Sequence, residues 1–164
     1  MTDQRGEFGR AVGFLLSQLG AIVSSRFHDV MHSVDLEPRH FVVLNAISSF
    51  GGQLQSAIAE LLHIPPSSMV SLVDHLERAR LVERHPHASD RRARSLVLTE
   101  QGRVLLEQAM GLAMGVEQLI CEGFSAEERR QLMAFLDRVA ANLRATPGVH
   151  PGATRGGFWS EEVS

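Results

Sequence analysis

The sequence predicts a mainly α protein with a small β-hairpin wing: a winged helix-turn-helix region flanked by long helices. Three observations lead there. Apolar residues recur at helical spacing toward both ends of the chain. Two short helical segments meet at a break that ends in Pro65-Pro66. Directly after them, two extended segments, LVERH and ARSLVL, enclose the polar stretch PHASDRR.

The elements follow in order. Phe8, Val12, Leu15, Leu16, Leu19, Ile22, Val23, Phe27, Val30 and Met31 define one long helix, roughly residues 6 to 33. Pro38 suits the first turn of a second helix, where its missing N–H is no loss, and Gly51-Gly52 ends it near residue 50. A third, short helix covers about 55 to 63. Pro65-Pro66 opens a fourth, SSMVSLVDHLERAR, reaching about residue 80. After the hairpin, Thr99 is placed to cap a long helix ending near 122. Ser125 followed by Glu128 reads as a capping box for a last helix, about 126 to 145. Residues 147 to 164 are rich in Pro and Gly and read as a flexible tail that holds the single tryptophan, Trp159.

Composition narrows the function. With 164 residues, 44% of them apolar, the chain can bury a core, and 21% charged residues do not suggest disorder. A net charge of −3 argues against a surface coated by nucleic acid, though not against a local basic patch. One cysteine, Cys121, permits no intrachain disulfide or cysteine zinc cluster. The N-terminal MTDQRGEFGR has no signal-peptide core, and no run of 18 apolar residues occurs, so a cytoplasmic protein without a membrane segment is expected. The sequence has no G-x-S-x-G, phosphate-binding loop, H-E-x-x-H or dinucleotide fingerprint, so neither an enzyme nor a cofactor is expected.

The second helix of a helix-turn-helix enters the major groove, and its first residues meet base edges. Those residues here are Ser67, Ser68 and Ser71, with His75 a turn further and Arg78 beyond it. Serine hydroxyls donate or accept, so they read bases permissively or hold phosphate. From His75 to Ser95 there are six arginines (78, 80, 84, 91, 92 and 94) against three acids (Glu77, Glu83 and Asp90), a local balance of +3. Arginines at a hairpin tip suit the negative potential of a narrow minor groove. Arg91, Arg92 and Arg94 are the candidates, with Asp90 supporting Arg92 through a paired hydrogen bond.

The run LVDHLERARLVERHPHASDRRARSLVLTEQGRVLL resembles the signature of MarR-type transcriptional regulators: LVDHLE, LVER, the D-R-R wing and LTEQG, in that order. The helix order over residues 8 to 145 is similar too. The resemblance implies a homodimer on a pseudo-palindromic duplex DNA operator, most often a repressor released by a small, often phenolic effector. It divides the chain into an N-terminal dimerisation helix (1–37), a winged helix-turn-helix (38–99), C-terminal dimerisation helices (100–146) and a tail (147–164). The sequence departs from the family at Ser71, where a basic residue is usual, and at Pro65-Pro66, in place of a small or basic pair. An effector between dimer base and DNA-binding lobe would act by changing the spacing of the two recognition helices, about 34 Å on successive major grooves. The competing reading, a winged helix that binds protein, predicts no salt-sensitive DNA affinity.

His28 and His32, four apart on the first helix, have metal-ligand spacing, and His40 follows closely. Zinc-sensing members of the resembling family draw further histidines from the helix after the wing. That helix holds none here, so no metal is expected, and the three histidines read as interfacial or solvent-facing groups, or as candidates for the effector site. Cys121 precedes Glu122 and has no basic neighbour in sequence, so it reads as a buried structural cysteine. Met110 and Met114 read as core or dimer seam, open to a ligand pocket.

Overall fold

The computed structural model describes residues 11–50, 52–86 and 94–145. Within them lie six helices and one antiparallel hairpin. They are α1 (Val12–His32), α2 (Pro38–Ser49), α3 (Gln55–Leu61), α4 (Pro66–Arg78), β1 (Val82–Pro86), β2 (Arg94–Leu98), α5 (Glu100–Ile120) and α6 (Ala126–Asn142). Apart from the start of the first helix, each matches an expected element to within a few residues at its ends. The proposed start of the first helix at residue 6, the tail with Trp159, and the wing residues Asp90, Arg91 and Arg92 fall outside the described residues.

Helix ends follow local chemistry. Pro38 and Pro66 occupy first-turn positions of α2 and α4. The Thr99 hydroxyl accepts the Gly102 N–H at the start of α5. At α6, Ser125 and Glu128 form a reciprocal capping box, and these hydrogen bonds hold the Glu128 carboxyl below its ordinary range. Four helices end in a left-handed residue that is not glycine: Asp35 (φ 54°), His63 (φ 52°), Arg80 (φ 57°) and Arg144 (φ 53°). At each, the next N–H reaches back to a carbonyl one turn inside the helix: Leu36 to Met31, Ile64 to Ala59, Leu81 to Leu76 and Ala145 to Ala140.

The core is centred on α2 and α4. Met31, Val43, Leu44, Ile47, Ile58, Met69, Val73, Leu76, Val82 and Leu96 are almost completely buried, with Leu106 and Ala109 extending the core onto α5. The hairpin pairs Val82 with Leu98 through to Pro86 with Arg94. It is also tied to the segment before α3. Leu54 bridges to Ser95, the Leu96 N–H donates to the Gln53 carbonyl at 3.1 Å, and the Gly52 N–H donates to the Leu96 carbonyl at 3.3 Å.

The base of the molecule is unlike this core. α1 packs along α5, yet Met31 is its only buried residue. None of α6 is buried. Leu15, Leu19, Ile22, Leu119, Phe135 and Leu136 stand exposed on these three helices. No helix of the described residues is long and apolar enough to cross a membrane.

Candidate nucleic-acid interface

α3, the turn at Leu62–Pro65 and α4 form the helix-turn-helix. His63 takes the left-handed conformation that reverses the chain, and buried Ile64 anchors the turn. α4 is strongly two-faced. Met69, Leu72, Val73 and Leu76 point into the core, while Ser67, Ser68, Val70, Ser71, His75 and Arg78 lie on the exposed side. The predicted Ser67, Ser68, Ser71, His75 and Arg78 are thus brought together on one outward face. The Ser71 hydroxyl donates to the Ser67 carbonyl at 3.3 Å, and Arg78 Nε donates to the Asp74 carbonyl at 3.2 Å. Val70, which sequence reasoning missed, is 45% exposed among the serines. The helical period that places Ser67, Ser68 and Ser71 outward places Val70 beside them.

Arg84 departs from the expected basic patch. Its guanidinium donates to Asp74 at 2.6 Å, to Glu77, and to the Gln55 side chain at 3.2 Å, and its side chain is only 19% exposed. It therefore joins β1 to α4 and α3 rather than facing outward. Strand alternation was the available signal, because Arg84 lies on the same side of β1 as buried Val82. Arg94 is exposed at the far end of β2, opposite Pro86.

His75 carries a second unexpected contact. Its ring stacks on that of His40 from α2, with centroids 4.4 Å apart and planes 8° from parallel. His40 is 3% exposed, and burial, then the charges of His75 and Arg39, lower its pKa to about 3. It is a neutral, internal prop for the outward helix. His40 shares a helical stripe with Val43, Leu44 and Ile47, so its burial was readable from spacing.

The hairpin returns to the base through a tight joint. Thr99 Oγ1 donates to the Arg80 carbonyl at 2.7 Å, and the Thr99 N–H to the Leu81 carbonyl at 3.1 Å. Gly102 sits so close to Leu81 that an added Cβ would lie 2.0 Å from the carbonyl oxygen. The LTEQG stretch therefore has a physical reason for its Thr and its Gly.

Between α1 and α5 runs an open groove of about 340 Å³, lined by Arg26, Asp29, Val30, Leu112, Val116 and Leu119 among others. His28, His32 and His40 do not line it. His28 and His32 instead lie side by side near Glu37. Cys121 is buried, as expected, and burial with neighbouring Glu117 pushes its thiol pKa up.

A two-faced α4 held in a helix-turn-helix, followed directly by a hairpin, is the architecture of a winged-helix DNA-binding regulator. The sequence profile of the MarR family matches residues 34–93. The transcriptional repressor CouR bound to a 23-mer DNA duplex is similar over 82% of this chain and 96% of its own, with 31% identity and a TM-score of 0.71. CouR from Rhodococcus jostii RHA1 bound to p-coumaroyl-CoA gives 30% identity, 80% and 93% coverage, and a TM-score of 0.67. MarR from E. coli in its apo form shares the fold, at 22% identity, 79% and 96% coverage and a TM-score of 0.68. The chain belongs to the MarR family of DNA-binding transcriptional regulators.

Proposed function

We propose that this protein is a homodimeric repressor that binds a pseudo-palindromic operator and is released by a small aromatic effector. The observation that carries the reading is the outward face of α4, where Ser67, Ser68, Ser71, His75 and Arg78 stand together opposite a buried face. Each serine hydroxyl suits a base edge or a phosphate, and Val70 suits a thymine methyl. At the wing, Arg94 and the tip residues Arg91 and Arg92 contact the minor groove, with Asp90 setting the pose of Arg92.

Two copies are needed to read two half-sites. The exposed apolar residues of α1, α5 and α6 supply a self-complementary surface, since large apolar patches on a soluble chain mark contact sites. The domain division expected from the sequence fits this arrangement, with 38–99 reading DNA and 1–37 and 100–146 pairing the copies. The effector occupies the α1–α5 groove, where Leu112, Val116 and Leu119 offer an apolar wall and Arg26 a cation for an acidic group. An aromatic acid or its coenzyme A thioester fits this chemistry, in keeping with the p-coumaroyl-CoA bound by CouR at 30% identity. A coupling of about 1–3 kcal/mol between groove and operator suffices for a five- to hundred-fold change in affinity.

Selection of binding sites from a random duplex pool, followed by a salt titration of the enriched site, tests this reading. A two-fold symmetric site whose affinity falls steeply with salt is expected. No enrichment together with a flat salt response would assign the winged helix to protein contacts.

A further inference from the structure

We infer that His28, His32 and Glu37 form a binding site for a divalent transition-metal ion at the junction of α1 and α2. Their ligand atoms all lie within 4.8 Å of one another. His28 and His32 are one helical turn apart, with ring centroids separated by 4.2 Å and planes inclined by 32°. His32 Nε2 lies 3.2 Å from Glu37 Oε1. Tetrahedral coordination at ordinary zinc–ligand lengths separates ligand atoms by about 3.4 Å, so this pair already has the required spacing, and the His28 ligand atom lies within 4.8 Å of both. His28 Nδ1 faces the Asp29 carboxylate at 3.9 Å.

Two imidazoles and one carboxylate suit zinc, nickel or cobalt rather than calcium or magnesium, which favour oxygen ligands. All three side chains are about half exposed, which leaves a coordination position open to water. The third ligand comes from the α1–α2 connection, and none is needed from α5. Glu37 also caps α2, its carbonyl accepting the N–H groups of His40 at 2.9 Å and Phe41 at 3.1 Å. An ion gripping the Glu37 side chain therefore fastens the end of α1 to the start of α2, the helix that carries His40 beneath His75.

Calorimetric titration of the full-length protein with zinc chloride tests the site, with cobalt substitution read by its visible absorption. One ion per chain is expected. His28→Gln, His32→Gln and Glu37→Gln should each weaken binding more than about tenfold, the least that losing even a supporting residue costs. His85→Gln and Cys121→Ser should leave it unchanged. Zinc should also slow hydrogen exchange at the His40 and Phe41 amides. The half-exposed positions tolerate substitution, and far-UV circular dichroism checks folding in each variant. The site is overturned by the absence of saturable binding, by binding that survives all three substitutions, or by loss confined to the His85 or Cys121 variant. The inference is independent of the operator reading, because operator binding measured with a chelator present stands or falls without the metal.

Discussion

His40 shows how one side chain can set a pH dependence for the whole fold. Its pKa in the folded protein is about 3 against an ordinary value of 6.5. Below pH 6.5 the unfolded chain takes up a proton that the folded chain does not, so stability falls as pH drops from 6.5 toward 3. At pH 5 the loss from this group is about 2 kcal/mol. Urea denaturation at pH 7.5 and pH 5 should show that His40→Gln removes about this much of the acid sensitivity. Equal sensitivity in both proteins would mean that the imidazole protonates in place. Gly102 makes a different single-residue demand. Gly102→Ala forces the Leu81 carbonyl or the start of α5 to shift, and should cost about 2 kcal/mol or more in the same experiment.

At the scale of elements, the helices and their ends were legible because their signals are local: periodic apolar residues, Pro38 and Pro66 at first turns, and Thr99 and Ser125 as caps. The outward face of α4 was legible for the same reason. What joins elements was harder to read. The tie between Gln53, Leu54 and β2 is too short to form a pattern. The Arg84 partners Asp74 and Gln55 lie 10 and 29 positions away, and an arginine count treats every guanidinium alike. The hairpin arginines should accordingly divide into two kinds. Arg84→Ala strands Asp74 and Glu77, and should lower stability by about 1–2 kcal/mol while leaving the salt slope of DNA binding unchanged. Arg94→Ala and Arg92→Ala should instead lower the salt slope by about 1 each. Salt titrations of operator affinity for the three variants, beside their urea curves, check this; a smaller slope for Arg84→Ala would place it at phosphate instead.

For the whole molecule, the proposed pairing of two copies rests on the contrast between a dry core around α2 and α4 and the open apolar faces of α1, α5 and α6. Leu19 on α1 and Phe135 on α6 are 55% and 58% exposed. Leu19→Glu combined with Phe135→Glu should shift the protein to monomers in sedimentation-velocity runs and weaken operator binding at least about tenfold, since one lobe alone reads one half-site. A dimer that persists would place the pairing surface elsewhere.

The joint at Thr99 and Gly102 makes the molecule a lever. The end of α4 is fastened there to the start of α5, by the Thr99 hydroxyl and N–H on the Arg80 and Leu81 carbonyls and by the close approach of Gly102 to Leu81. α4, with 13 residues, is an arm of about 20 Å. If α5 tilts by about 5°, the far end of that arm, where Ser67 and Ser68 lie, swings by about 1.7 Å. That displacement is more than half the length of a hydrogen bond, so on the proposed reading a modest strain in the base would become a misfit at DNA.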